Sequence, residues 1–171
     1  MLSVLVDNIG NVVPLVYNFG VLKSTGDALM KIPMKVDYGV RALVELALHY
    51  GDGHVQTAGI AARQGIPEAY LDQLMSSLNK FGFVHSRRGP QGGHVLAMDP
   101  KDITLNMVMS KLDANNSPLD CLINPDDCVF SDSCAQQEVW KSVEEAVLEV
   151  LSNISVADLA DRQMSLAGQT I

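Results

Sequence analysis

Between residues 57 and 97 the spacing of apolar residues changes twice, and that succession leaves few folds open. Residues 58–64 read as a short helix with Thr57 as its N-cap. Gly65 interrupts it, and Pro67 stands where a first helical turn accepts proline. Residues 68–80 then carry Tyr70, Leu71, Leu74, Met75 and Leu78 at the three- and four-residue intervals of one buried helix face. Beyond Gly82 the period drops to two. Residues 83–87 suit a strand, Gly89-Pro90-Gln91-Gly92-Gly93 a turn, and residues 94–97 the returning strand. A short helix, a glycine turn, a second helix and a hairpin make a helix-turn-helix with a wing.

The flanks are helical too. Residues 36–50 place Val36, Val40, Leu43, Leu46, Ala47 and Tyr50 on one face, and Gly51 and Gly53 end the run. Pro100 and the Asp102/Thr104 region introduce a helix over roughly 104–112. Residues 113–134 form a loop rich in Asn, Asp, Ser and Pro. A long helix from about Gln136 to Ser152 carries Val139, Trp140, Val143, Val147, Leu148 and Leu151 along one side. The expected architecture is mainly α with a small β-hairpin wing: a winged helix-turn-helix at 34–100, a connecting helix and cysteine-bearing loop at 101–135, and a long helix plus tail at 136–171. Residues 1–33, rich in Val, Asn and Gly, read as an extension outside the core fold, as an over-extended gene start would give.

The 171 residues carry a net charge of −8, which at first argues against nucleic acid as a partner. The distribution of that charge along the chain argues the other way. Residues 35–94 hold six basic residues (Lys35, Arg41, Arg63, Lys80, Arg87, Arg88) and five acidic ones, whereas residues 95–171 hold four basic and thirteen acidic ones. A DNA-binding face fits the first half, and a regulatory or dimerising region fits the second. Residues 1–22 are apolar but broken by Asp7, Asn8, Gly10, Asn11 and Pro14, with no leading positive charge, so they suit neither a signal peptide nor a membrane span. The expected location is the cytoplasm, where thiols stay reduced.

Away from its core stripe, the second helix of the helix-turn-helix offers groups that can read or grip DNA. Gln73 has the amide to read adenine and Asp72 the acceptor for cytosine N4, while Ser76 and Lys80 suit phosphate. An ordinary solvated helix face would look similar. The wing tips the balance, because Arg87 and Arg88 precede a turn in which Gly89 and Gly92 let the backbone approach a phosphate wall. A nucleotide-phosphate loop is disfavoured, since neither the G-x-x-x-x-G-K-[ST] nor the G-x-G-x-x-G pattern is present and no helix opens behind the turn.

The three cysteines, Cys121, Cys128 and Cys134, follow a C-x6-C-x5-C spacing. Structural zinc sites bring ligands in close C-x2–4-C pairs with a fourth Cys or His, which this segment lacks. Three unrelated free cysteines would have to cluster by chance within one short segment. An iron–sulfur cluster suits thiolates on a wider, turn-rich loop such as the one around Asn124-Pro125-Asp126-Asp127. The spacing does not distinguish [2Fe-2S] from [4Fe-4S]. His49, His54, His85 and His94 fall near helix ends and in the wing, where supporting or solvent-exposed roles are expected rather than metal ligation. No Ser-His-Asp, H-E-x-x-H or paired-carboxylate arrangement stands out, so no enzyme and no small-molecule substrate are expected.

The run from Ile60 through Leu74 (IAARQGIPEAYLDQL), the wing sequence Arg88-Gly89-Pro90-Gln91-Gly92-Gly93, the Tyr38-Gly39-Val40-Arg41-Ala42-Leu43 opening, the three cysteines and Trp140 together resemble the IscR/NsrR-type (Rrf-two) family of bacterial winged-helix transcription regulators. The resemblance covers about Met34 to Leu159 and leaves out residues 1–33. It implies a homodimer that reads a palindromic operator in double-stranded DNA, with the long helix at 136–152 crossing to the partner. It places Tyr70, Asp72, Gln73 and Arg88 at the DNA surface. It also implies redox, nitric oxide or iron–sulfur sensing through a cluster on Cys121, Cys128 and Cys134. IscR-like relatives put a histidine where this chain has Gln137. NsrR-like relatives use an aspartate in the partner's first helix, where this chain has Asp37, and Asp37 is the favoured fourth ligand, with Gln137, Glu138, solvent or an exogenous thiol as alternatives. Two other readings remain: the same fold working by thiol redox or a protein partner without a cluster, and a protein-interaction module that does not bind DNA.

Overall fold

A computed structural model describes residues 31–89, 91–113, 126, 128, 130 and 133–168. Helix α1 (Met34–Leu48) is the centre of the fold and packs against α2 (Thr57–Gln64), α3 (Glu68–Lys80), strand β2 (Gly93–Leu96), α4 (Leu105–Leu112) and α6 (Val156–Ala167). Its buried surface is wider than a single stripe and includes Val36, Gly39, Ala42, Leu43, Val44, Glu45 and Leu46. Tyr50, expected in the core, lies beyond the helix end and is exposed, while Val40 and Ala47 are half-buried. The chain leaves α1 through Gly51 and Gly53, both at positive φ. Gly39 permits the close crossing of α1 and α4, because a Cβ there would run into the Leu112 side chain.

Helix α2 begins one residue earlier than its sequence pattern suggests. Gln56 caps it, and Thr57 is its first helical residue, with its hydroxyl 2.9 Å from His94 Nε2 instead of on the helix backbone. A β-hydroxyl at the first turn can serve either bond, and the imidazole is the partner it meets. Gly65 closes α2 in the left-handed conformation (φ 62°), which costs a glycine nothing. Pro67 is the N-cap of α3, whose limits match the expected 68–80. Leu71, Leu74, Met75 and Leu78 are buried, and Tyr70 is 38% exposed.

Strands β1 (Val84–Arg87) and β2 pair antiparallel in the register Val84↔Leu96, His85↔Val95, Ser86↔His94 and Arg87↔Gly93. One further rung joins Val55 to His94, which ties the wing to the segment entering α2. The core runs through these elements as a single cluster that includes Phe83, Val84, Ile60, Ile103 and Val108.

Thr104 caps α4, accepting from the Met107 amide at 3.3 Å. Helix α5 (Ala135–Ser152) has no buried residue, and Val139, Val143, Leu148 and Val150 are exposed. The C-terminal region, expected as a tail, is instead the helix α6. It starts in a capping box, with Ser155 Oγ accepting from the Asp158 amide at 3.1 Å and Asp158 Oδ2 accepting from the Ser155 amide at 2.8 Å. The Ser155 hydroxyl, which donates to Asp158 Oδ2 at 2.6 Å, and then the Ser155 amide hold the Asp158 carboxyl below its ordinary value. Val156 and Ala160 bury against α1, and that burial offsets the cost of ordering the helix.

Candidate nucleic-acid interface and metal centre

The outer side of α3 is polar because the inner side holds all of its large apolar residues except Tyr70. Glu68, Asp72, Gln73, Ser76 and Lys80 are exposed there. Ser76 Oγ donates to the Asp72 carbonyl at 2.9 Å, so its hydroxyl is folded against its own helix. Tyr70 lies at the N-terminal end of this face and meets the edge of Tyr38 on α1 (centroids 5.7 Å apart, rings at 80°). The Arg41 guanidinium lies 5.8 Å from the Tyr38 ring centre and also donates to the Gln64 carbonyl at the end of α2.

In the wing, Arg87, Arg88 and Gly89 are exposed. Pro90 lies outside the described residues. Gly92 is buried, donates its amide to Gly89 O at 2.8 Å, and has no room for a Cβ against the Arg87 carbonyl. Gly93 adopts φ 145°, and a Cβ there would meet the Val55 carbonyl. Glycine is therefore required at both positions, and the turn holds the two arginines on an otherwise side-chain-poor tip.

Two polar networks behind this surface were not evident from residue spacing. Glu45 is buried inside the apolar face of α1, where its carboxylate accepts from Arg63 Nε and, at 2.7 Å, from Gln64 Nε2; His49 Nε2 lies 3.3 Å away. Burial works against its charge, but the bonds from Gln64 and Arg63 and the charges of Arg63 and His49 outweigh it, leaving the carboxyl below its ordinary value. The network fastens the end of α2 to α1. A glutamate between Val44 and Leu46 was the available signal, although it did not reveal the partners. The second network centres on His94, bonded through Nε2 to Thr57 and through Nδ1 to Ser86 Oγ at 2.8 Å. Burial holds this imidazole below its ordinary value; Asp72 opposes the shift and His54 adds to it.

Of the predicted cluster ligands, Cys121 lies outside the described residues. Cys128 and Cys134 are half-buried free thiols. Cys134 is the N-cap of α5, at the helix end whose amide groups favour an anion. Gln137 is half-buried in the first turn of α5, and Glu138 is exposed. Asp37 sits on α1 in a two-point ion pair with Arg41 (Oδ2–Nη2 3.1 Å, Oδ1–Nε 3.3 Å). Among the described residues no three His, Cys, Asp or Glu side chains converge as a metal site. Nor is any helix among them long and apolar enough to cross a membrane.

The profile of the Rrf2 family, described as an iron-dependent transcriptional regulator, matches residues 32–162. The chain is 37% identical over 134 residues to the HTH-type transcriptional regulator IscR of Yersinia enterocolitica, covering 78% of this chain and 81% of that protein. Its fold superposes on CymR, the global cysteine regulator of B. subtilis, with a TM-score of 0.67 and 35% identity over 78% of this chain and 98% of the other. It also matches the oxidized form of Staphylococcus aureus CymR, with a TM-score of 0.63 and 28% identity over 77% of this chain and 96% of the other.

Proposed function

This chain belongs to the Rrf2 family of transcriptional regulators, which bind DNA and are not enzymes, and from that premise we propose that it couples operator binding to an iron–sulfur cluster held by Cys121, Cys128 and Cys134. The observation that carries the DNA reading is the pairing of an outward polar α3 with a wing that presents Arg87 and Arg88 on a glycine-built turn. In this arrangement α3 enters the major groove. There Gln73 and Asp72 address base edges, Tyr70 and Ser76 line the approach, and Lys80 meets phosphate. Arg87 and Arg88 reach the neighbouring minor groove, where narrow A·T-rich tracts concentrate negative potential. Gly89 and Gly92 keep the tip narrow enough for that approach.

The described donors fit an iron–sulfur group: two half-buried unpaired thiols, one at a helix N-terminus, on a segment whose third cysteine completes the C-x6-C-x5-C spacing. When bound, such a group supplies a redox- and nitric-oxide-reactive centre that an oxygen ligand leaves open to exchange. Asp37 of the partner subunit is the proposed oxygen donor. In the single chain its carboxylate is held by Arg41, which also contacts the end of α2 and the Tyr38 ring against Tyr70. Taking Asp37 away from Arg41 therefore acts on residues that touch both helices of the helix-turn-helix. The unpartnered Val139, Val143, Leu148 and Val150 on α5 support a homodimer in which that helix packs on a second copy.

The chain then divides by role: 34–100 for DNA, 101–135 for the sensor segment and 136–171 for assembly. A second reading, thiol redox without a cluster, is favoured by one observation, that a related CymR has an oxidized form. Anaerobic purification separates the two. Brown protein containing iron and acid-labile sulfide supports the cluster, and colourless protein that still responds to thiol oxidants supports the alternative. A steep fall in DNA affinity with rising salt is expected in either case.

A further inference from the structure

We propose that His94 is a positioning residue for operator binding, tethering the wing to the first turn of α2 and so fixing where Arg87 and Arg88 stand relative to α3. The inference rests on the DNA-binding reading and adds to it a residue outside the expected contact set. His94 joins three pieces of the structure at once. Its backbone amide and carbonyl pair with Val55, at 2.8 and 2.9 Å. Its Nε2 lies 2.9 Å from the Thr57 hydroxyl on α2, and its Nδ1 lies 2.8 Å from the Ser86 hydroxyl on β1, one residue before Arg87. A hairpin of two four-residue strands has little rigidity of its own. Its angle to the helix-turn-helix therefore depends on such ties.

A neutral imidazole has one donor and one acceptor nitrogen, and two hydroxyls complete both bonds without leaving a charge. The surroundings favour that neutral form. The first turn of α2 presents the positive end of a helix dipole, and the ring borders a cavity shared with His49, Tyr50, Val55 and Leu96. The titratable groups facing it are Asp72 from α3, His54 from the segment before α2 and His49 from the end of α1. Of these, Asp72 alone favours a cation. Burial lowers the folded value below the unfolded one. The tether is then fully present above the ordinary imidazole range and is lost as pH falls through the folded value. Operator affinity should weaken on acidification, opposite to the strengthening that added positive charge ordinarily gives a DNA-binding protein.

The test uses the full chain and a duplex selected by the unaltered protein from a random-sequence library, with affinity read by fluorescence anisotropy at fixed salt from about pH 5.5 to about pH 8. His94→Gln places an amide nitrogen where Nε2 lies and keeps the Thr57 bond, whereas His94→Asn reaches only the Nδ1 position. His94→Gln should bind within about twofold of the unaltered protein at pH 8 and should not share its weakening on acidification. His94→Asn and Thr57→Val should each bind about fivefold more weakly, the ratio one net hydrogen bond supports. Thr57→Ser should restore binding, and the double variant should be no weaker than either single one. Equal binding by His94→Asn, additive losses in the double variant, or superimposed pH profiles for the unaltered protein and His94→Gln would each overturn the tether while leaving DNA binding intact. An unaltered protein that selects no duplex would remove the DNA reading itself, and the tether's role with it.

Discussion

Replacing Glu45 with Gln tests whether the buried carboxylate holds α2 in place. The substitution keeps the shape, so it opens no cavity, but it removes the charge and points an amide NH2 at one of two donors, Arg63 Nε or Gln64 Nε2. A hydrogen bond to a charged group contributes about 1.5–3 kcal/mol. The Glu45 side chain is 4% exposed, yet Arg63 and His49 are 47% and 40% exposed, so water solvates the partners left behind and the loss falls near the lower end, about 1.5–2 kcal/mol. For a chain of this size that lowers the melting temperature by roughly 3–8 °C. The pH dependence follows from the lowered carboxyl. Its contribution is complete above the ordinary glutamate value of 4.5 and disappears as pH falls through the lower folded value. Thermal unfolding followed by circular dichroism should therefore show a gap between the unaltered protein and Glu45→Gln that is full at about pH 7 and narrows in acid. Identical melting at neutral pH, or a gap indifferent to acid, would refute the clamp.

Arg88→Ala should weaken operator binding by about 1–3 kcal/mol if the guanidinium reads a base, or flatten the salt slope by about one unit if it grips phosphate. A titration at several salt concentrations that shows neither change removes Arg88 from the interface. Val143→Glu places a charge on the exposed apolar side of α5, and light scattering should then report a monomer for the variant against the proposed dimer for the unaltered chain; an unchanged mass rejects α5 as the assembly surface. Asp37→Ala should change the visible spectrum or the oxygen lifetime of anaerobically purified protein, and an identical spectrum hands the fourth position to Gln137, Glu138, solvent or an exogenous thiol.

The elements that sequence spacing locates best are those with punctuation at both ends. Helix α3 runs between Pro67 and Gly82, and its limits coincide with the expected ones. Thr57 lies inside the helix it is expected to cap because a threonine before an apolar run has two uses for its hydroxyl, and only the distant His94, thirty-seven positions away, decides between them. Helix α6 carries a local signal, the Ser155-x-x-Asp158 capping box ahead of Val156, Leu159 and Ala160, but the long helix before it makes the segment look like a tail. Glu45 and His94 are harder for a shared reason. Each is a polar residue whose partners come from other elements, and periodicity within one element carries no information about them.

The same distinction explains why a candidate DNA face is easier to read from spacing than the proposed sensor. Side chains that meet DNA must be exposed on elements whose other side is core, so an apolar stripe locates them by elimination. A cluster ligand obeys no such periodicity, and a ligand supplied by a second subunit leaves no trace in one chain's packing. What the packing does constrain is the intrachain route. The cysteine-bearing segment connects α4, whose Leu112 closes on Gly39, to α5, which begins after Cys134 and contacts α4. Neither α4 nor α5 has a main packing contact with α2, α3 or the wing, whereas α1 packs against α2, α3, α4 and β2. Interiors packed this tightly transmit displacement instead of absorbing it. Among the described residues the main contacts lead from α4 to the helix-turn-helix through α1, so if the proposed cysteine sensor acts within one subunit, Gly39→Ala, by forcing Leu112 away, should alter its effect on operator binding without touching either a cysteine or a proposed DNA contact.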